Sequence, residues 1–183
     1  IGDVQYPARI FSAWTASELA AIGIIEVTFD DSNKKDEQWY INTNQTFTYD
    51  ADAGTVTAAY GTATAKAHAD TLFTAQDETD GLGTEGDVKD EGLKTKLIRT
   101  VKAQAEGLLN QTDWYITRKA EKNTAIPSAI TTWRDGIRTK QAAMETLITN
   151  ASDTPALETL YTYTTDSDGV TSRPLGEFPK LGS

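Results

Sequence analysis

The sequence contains no cysteine and only one histidine in 183 residues. Without cysteine the chain has neither disulfides nor thiol chemistry, although this absence does not fix a cellular compartment. The single histidine, His68, lies in AKAHAD, and no nucleophile motif such as GxSxG occurs in the chain. Because a catalytic triad needs a base beside its nucleophile, we interpret His68 as a surface or interface side chain.

Positive charge and long apolar runs are also scarce. The chain has 17 Lys and Arg against 27 Asp and Glu, which gives a net charge of −10 at pH 7. Nucleic-acid binding needs clustered basic residues, and anionic membrane surfaces attract basic segments, so we expect neither partner. The longest apolar run, near residues 20–27, is too short to span a bilayer, and we predict no membrane insertion.

Motifs for cofactors and metals are missing as well. The sequence has no GxxxxGK[ST], no GxGxxG and no Cys/His metal spacing. DADAG (50–54) and DSDG (166–169) resemble fragments of a calcium loop, but Thr55 and Gly61 occupy the sixth and twelfth positions of the first one. We interpret both as Asp/Gly turns. The sequence therefore predicts no catalytic residue, no cofactor and no metal site, and we expect that the protein is not an enzyme.

Residues 1–60 combine an extended arm, a short helix and strands. In TASELAAIG, Thr15 and Glu18 form a capping-box pattern, and Gly23 suits the end of a helix, so we predict a helix over 16–22. β-type runs follow at 24–29, 38–42, 46–50 and 55–60. Their alternation predicts a small antiparallel meander within 24–60. Its half-buried face would be formed by Trp39, Ile41, Phe47 and Tyr49.

Residues 61–92 are rich in glycine and acid, with eight carboxylates from Asp70 to Glu91 against one lysine. This composition favours a solvated linker. A helix over 64–76 is an alternative for its first part. The carboxylates of 77–91 could instead be paired acids for glycoside hydrolysis, but such acids need a rigid and partly dry setting, which a Gly-rich loop does not provide.

Residues 93–150 carry two amphipathic stripes that predict a helical hairpin connected by 121–126, with Pro127 in the first turn of the second helix. The stripes consist of Leu93, Leu97, Val101, Ala105 and Leu108, and of Ile130, Trp133, Ile137, Met144, Leu147 and Ile148. Residues 151–183 are predicted to form an extended tail, with a helical turn at 155–160 and a turn at DSDG. The overall prediction is an α+β fold.

Aromatic and arginine side chains are concentrated in LLNQTDWYITRKAEKNTAIPSAITTWRDGIR (108–138). Two interpretations are open. Indoles bury a large area and arginines stack on them or pair with acids, which favours a lock within the hairpin. Trp and Arg are also common hot-spot residues, which favours a partner-binding face. The residues concerned are Trp114, Arg118, Trp133, Arg134 and Arg138.

The same stretch resembles a motif of tail-fibre assembly and tail-associated proteins of tailed bacteriophages. That pattern runs Leu-Leu, a spacer, Thr-Asp-Trp, a turn, Pro, an aromatic-Arg pair and a further Arg. TASELAAIGIIEV (15–27) also looks like the Thr-Pro-Glu-Glu-Leu…Gly-Ile opening of such proteins. This chain departs by Ala16 in place of proline and by Trp133 in place of the commoner tyrosine, and the two matches cover about a third of it. The hairpin motif is carried by Leu108, Leu109, Thr112, Asp113, Trp114, Pro127, Trp133, Arg134 and Arg138.

The resemblance implies a non-catalytic structural component of the virion tail, fibre or baseplate, made in the host cytoplasm and bound to other tail proteins. A fibre-assembly chaperone is the alternative, and a fibre depolymerase is a third. The hairpin stripes hold more apolar positions than one two-helix contact can hide, so we predict a homo-oligomer. The resemblance implies a trimer, with a shared core formed by Leu97, Val101, Leu108, Ile130, Ile137 and Met144.

Overall fold

The computed structural model describes residues 4–182, in which long helices and small sheets confirm the predicted α+β class. The chain divides into two units, Ile1–Ala65 and Lys66–Ser183. Residues 1–3 of the predicted arm and residue 183 of the predicted tail lie outside the described residues. The boundary between the units falls within the segment 61–92, which was predicted to be a linker.

The N-terminal unit begins with two short helices, α1 (Ile10–Ala13) and α2 (Ala16–Ala21). The predicted arm is therefore partly helical. The capping box of α2 is confirmed, because the Thr15 hydroxyl accepts a bond from the Glu18 N–H and the Glu18 carboxylate accepts one from the Thr15 N–H. Gly23 ends the helix with φ +81, and the Ile24 N–H reaches back to the Leu19 carbonyl at 2.9 Å.

The strands of this unit differ in pairing from the predicted meander. They are β1 (Val27–Asp30), β2 (Tyr40–Ile41), β3 (Gln45–Asp50), β4 (Thr55–Tyr60) and β5 (Thr64–Ala65). The main sheet has the order β1-β4-β3, in which β3 pairs with β4 in antiparallel and β1 pairs with β4 in parallel. The prediction of a purely antiparallel meander is wrong here, because alternation along a strand does not determine which neighbour it joins.

The predicted half-buried aromatic face is largely exposed. Trp39 is buried, but Phe47 and Tyr49 are 66% and 57% exposed, and Ile41 is exposed too. The register places Phe29 and Phe47 on either side of Ala58, which is fully buried between these rows. Alternation places Phe47 and Tyr49 on one face of β3, but Ile41 lies in the separate sheet of β2 and β5, and alternation does not require a second layer to cover a face.

The segment predicted as a linker contains regular structure. Residues 66–92 hold β6 (Thr71–Leu72), α3 (Ala75–Thr79) and β7 (Val88–Asp90), and β6 pairs with β7 in antiparallel. The alternative prediction of a helix over 64–76 is wrong. Thr74 and Asp77 form a second capping box, and Lys89 pairs with Asp77 at 2.7 Å. These contacts with Lys89 and Thr74 hold the pKa of Asp77 well below its usual range.

The first long helix starts against this segment. α4 spans Leu93–Asn110, and the Asp70 carboxylate accepts bonds from the Thr95 hydroxyl and from the Gly92 N–H, both at 2.7 Å. These two bonds lower the pKa of Asp70. The His68 carbonyl accepts the Lys94 N–H at 3.0 Å. Backbone N–H groups at the start of this helix, those of Gly92 and Lys94, are thereby hydrogen-bonded within the unit.

The predicted helical hairpin is present as α4 and α6 (Ser128–Asn150), which pack on each other. A further helix, α5 (Asp113–Lys122), lies between them in the chain, and Asn123 ends it in the left-handed conformation with φ 53. Pro127 occupies the N-cap position of α6 rather than its first turn. Proline suits this place because it has no N–H to leave unpaired.

Residues 154–182 contain further regular structure that packs on the hairpin rather than an extended tail. They contain α7 (Thr154–Tyr161), which fits the predicted helical turn, and a two-stranded pair of β8 (Thr164–Thr165) and β9 (Thr171–Ser172) around the predicted DSDG turn. Leu175 is buried, its N–H donates to the Leu160 carbonyl, and Lys140 of α6 donates to the Leu175 carbonyl at 2.8 Å. Phe178 packs on a core cluster formed by Ala105, Trp133 and Ile137.

Candidate functional site

Arg134 fastens the junction between α4 and α5. Its side chain is buried, with 7% of the residue exposed. Nη1 donates to the Leu109 carbonyl at 2.8 Å and to the Thr112 hydroxyl at 2.7 Å, and Nη2 lies 2.8 Å from an Asp113 carboxylate oxygen. The cation thus meets a carbonyl in the last turn of one helix and an acid in the first turn of the next, and both positions favour these charges.

Thr112 contributes to this junction through its hydroxyl group. It occupies the N-cap position of α5, but its side chain caps no N–H of that helix. The hydroxyl donates to the Leu109 carbonyl at 3.1 Å and accepts the bond from Arg134. The Thr-Asp pair of the motif therefore holds the bend between the helices, because both residues bind Arg134, which follows Thr112 by 22 residues and Asp113 by 21.

Trp133 belongs to the interior of the C-terminal unit. Only 7% of it is exposed, and its indole N–H donates to the Pro179 carbonyl at 2.9 Å. Its ring lies in the core cluster against which Phe178 packs. Trp133 and Arg134 are thus used inside the unit, as the lock interpretation requires, and their burial corrects the prediction that they form part of a partner-binding face.

α5 carries the α5 stack, which we define as the exposed Trp114 with the half-buried Tyr115 and Arg118. The two rings stack with centroids 3.7 Å apart, and the guanidinium carbon lies 4.8 Å and 5.1 Å from the Trp114 and Tyr115 centroids. Trp114 is 51% exposed. Arg118 forms no ion pair within the described residues, and its buried Nε has no hydrogen-bond partner there.

Arg173 also lies beside two aromatic rings, and it has the carboxylate partner that Arg118 lacks among the described residues. Arg173 lies 5.4 Å from the Tyr161 centroid and 5.1 Å from that of Tyr163. Its Nε and Nη2 also bind the Glu177 carboxylate at 2.7 and 3.0 Å, and the Tyr163 hydroxyl donates to the same carboxylate. That hydrogen bond raises the pKa of Tyr163. Arg118 has the two rings but no carboxylate from this part of the chain.

The remaining predicted site residues divide by burial. Arg138 is exposed and pairs with Asp135 on the same helix at 3.1 Å, while Leu97, Leu108 and Ile130 are half-buried. Val101, Ile137 and Met144 are buried within the chain. Within the chain α7 packs on α6 and Phe178 packs on the core cluster, and a core shared between copies stays a prediction.

Sequence reasoning named Trp114 and Arg118 but missed Tyr115. Spacing would have found it, because residues three and four apart on a helix are neighbours, so Arg118 reaches both rings. The Arg173–Glu177 cluster was also missed, and its members follow no common helical period. No helix within residues 4–182 has the length and apolar composition needed to cross a bilayer, and this range contains no group of three or more His, Cys, Asp or Glu placed to hold a metal.

Comparison with protein-family models, with curated proteins and with solved structures finds no match for this chain.

Proposed function

We propose that this protein is a non-catalytic structural component of a tailed-phage virion, placed in the tail, fibre or baseplate, and that it acts by binding other tail proteins through the α5 stack. The observation that carries this proposal is the exposure of Trp114 beside Arg118, whose guanidinium has no carboxylate partner among the described residues. Exposed tryptophan and arginine are the residue types that contribute most to protein–protein binding energy.

The geometry also explains why the site would be rigid before binding. Arg134 fixes the start of α5 to the end of α4, so the stack is held on an anchored helix rather than on a loose loop. A surface that is ordered before binding loses less conformational entropy when the partner arrives. The acidic chain carries a local excess of positive charge here, with Arg118, Lys119 and Lys122 on α5 against Asp113 and Glu121.

An assembly chaperone is the second candidate, since an exposed Trp/Arg surface serves transient and lasting contacts equally. Quantitative mass spectrometry of purified particles from the encoding phage separates the two roles. A fixed stoichiometry against the major tail protein supports the structural component, whereas presence in infected-cell lysate and absence from particles supports the chaperone. Hydrolysis of host polysaccharide by the purified protein would overturn both.

The α5 stack can be tested in the same system. Trp114→Ala combined with Arg118→Gln should reduce the number of copies per particle. The control variant is Arg138→Gln, because Arg138 is an exposed arginine of the motif that lies on α6, outside the stack. Equal incorporation of wild type and the double variant would contradict the assignment of the stack as the binding surface, even if the protein remained a virion component.

A further inference from the structure

The strand β3 forms an open edge of the main sheet in the N-terminal unit. Within the described residues β3 pairs only with β4, in an unbroken register of six residues from Gln45↔Tyr60 to Asp50↔Thr55. Residues 46–50 are exposed. An edge strand offers unpaired N–H and C=O groups along its free side, which is a template for another strand.

β3 also lacks the features that protect such edges. Its sequence, QTFTYD, has no proline, no lysine and no bulge, and its one charge is Asp50 at the end. The opposite edge, β1, is shorter at four residues and has Glu26, Asp30 and Asp31 at its ends. The two edges therefore differ, and β3 is the one suited to pairing.

We propose that β3 pairs with β3 of a second copy in antiparallel, about a two-fold axis at Thr48, to give a six-stranded sheet with the order β1-β4-β3-β3-β4-β1. This register places Phe47 of each copy opposite Tyr49 of the other, and residues directly opposite share one face. The exposed aromatic face thus continues across the junction. Shifting the register by one residue would place each aromatic face beside the threonine face of the other copy.

Charge favours the antiparallel self-pair over a parallel one. In this register Asp50 lies opposite Thr46 of the other copy, whose hydroxyl can donate to the carboxylate. Parallel in-register pairing would instead set the two Asp50 side chains side by side, and like charges directly opposite destabilise a sheet. The axis position, Thr48, is an exposed threonine that carries no charge.

The interface sets a limit on affinity. One pair of short edge strands buries less than a standard protein–protein interface of about 1,600 Å², so we expect a reversible dimer that forms at micromolar or higher concentration. A two-fold contact also closes on itself, because the remaining edges of the joined sheet are the protected β1 strands.

The absence of cysteine allows a direct test with the full-length chain. Thr48→Cys should form an intermolecular disulfide under mild oxidation, because directly opposite residues in an antiparallel pair have Cα atoms about 4.5–5.5 Å apart, within disulfide range. The matched control is Thr28→Cys, an exposed threonine of the same cross-strand row on β1. It should form no intermolecular disulfide under the same conditions, because the two β1 strands lie at the far edges of the joined sheet.

Sedimentation equilibrium completes the test without a crosslink. The wild type should show a monomer–dimer equilibrium, Thr48→Lys should weaken it at least tenfold by placing two ammonium groups at the axis, and Thr28→Lys should leave it unchanged. A wild type that stays monomeric at about 200 µM, far above the range expected for a small interface, would overturn the proposal. The proposal would also be overturned if Thr48→Cys and Thr28→Cys crosslinked equally, or if Thr48→Lys and Thr28→Lys weakened the dimer equally.

Discussion

Replacing Arg134 by methionine tests whether this arginine holds α4 and α5 together. Methionine keeps an unbranched apolar stem but has no guanidinium, so the Leu109 carbonyl and the Thr112 hydroxyl lose their charged donor. A hydrogen bond to a charged group contributes about 1.5–3 kcal/mol, while the Leu109 carbonyl keeps its bonds from the Thr112 N–H and hydroxyl. The ion pair adds little, because half of the Asp113 side chain faces solvent and screens it.

The expected loss is about 3 kcal/mol in the free energy of unfolding of the C-terminal unit. The protein has two units, so peptide-resolved hydrogen exchange is a better measure than one global melting curve. Amides in the middle of α4 and α6 that exchange by global opening of the unit should exchange about 100-fold faster, since about 1.4 kcal/mol corresponds to a factor of ten.

The matched control is Arg138→Met, one helical turn later on α6. Its side chain is exposed and pairs only with the exposed Asp135, an i,i+3 contact whose loss costs about 0.5 kcal/mol or less. If the two variants changed the exchange rates equally, Arg134 would not be the fastening side chain that its contacts indicate. If only the α5 amides lost protection from exchange, Arg134 would order α5 without stabilising the hairpin.

Three further predictions concern other contacts. Trp133→Phe removes the donor to the Pro179 carbonyl, so exchange and proteolysis near residues 176–182 should increase, at a cost of about 1 kcal/mol. The pKa of Asp77 in the folded protein lies below its ordinary value of 3.8. Its contribution to stability is therefore present above that pH and is lost as the pH falls below it. Asp77→Asn should make the hydrogen exchange of residues 71–90 less dependent on acidic pH. Leu157→Ala should cost about 2–5 kcal/mol by denaturation, against less than about 1 kcal/mol for the exposed Leu147→Ala.

Local signals predicted best what is fixed within a few residues. The capping box of Thr15 and Glu18, the turn at DSDG and the start of a long helix near Leu93 all depend on neighbours in the chain, and all are present. Thr74 and Asp77 form the same capping pattern, but the acidic and glycine-rich composition of 61–92 favours a linker there.

Long-range pairing could not be obtained in this way. Nothing in VTFD (27–30) indicates that β1 lies parallel to β4, 29 residues later, since a strand's own pattern states which face is apolar and not which strand it joins. The different structural roles of the two arginines could not be predicted from the sequence for a related reason. Arg134 and Arg118 have the same chemistry, but Arg134 is buried against Thr112 and Arg118 is half-buried beside two rings.

The apolar stripes of α4 and α6 are covered in part by the chain itself, so they do not identify by themselves a partner in another copy. Two helices do leave apolar surface uncovered, but periodicity cannot distinguish cover supplied by another copy from cover supplied by the same chain. Leu175 and Phe178 provide it from a Pro- and Gly-rich segment that shows no helical period. Because Ile137 and Met144 are buried inside one chain, the helical stripes no longer require an oligomer. Any self-association must use surface that remains exposed, and the aromatic and unprotected edge at β3 meets that condition.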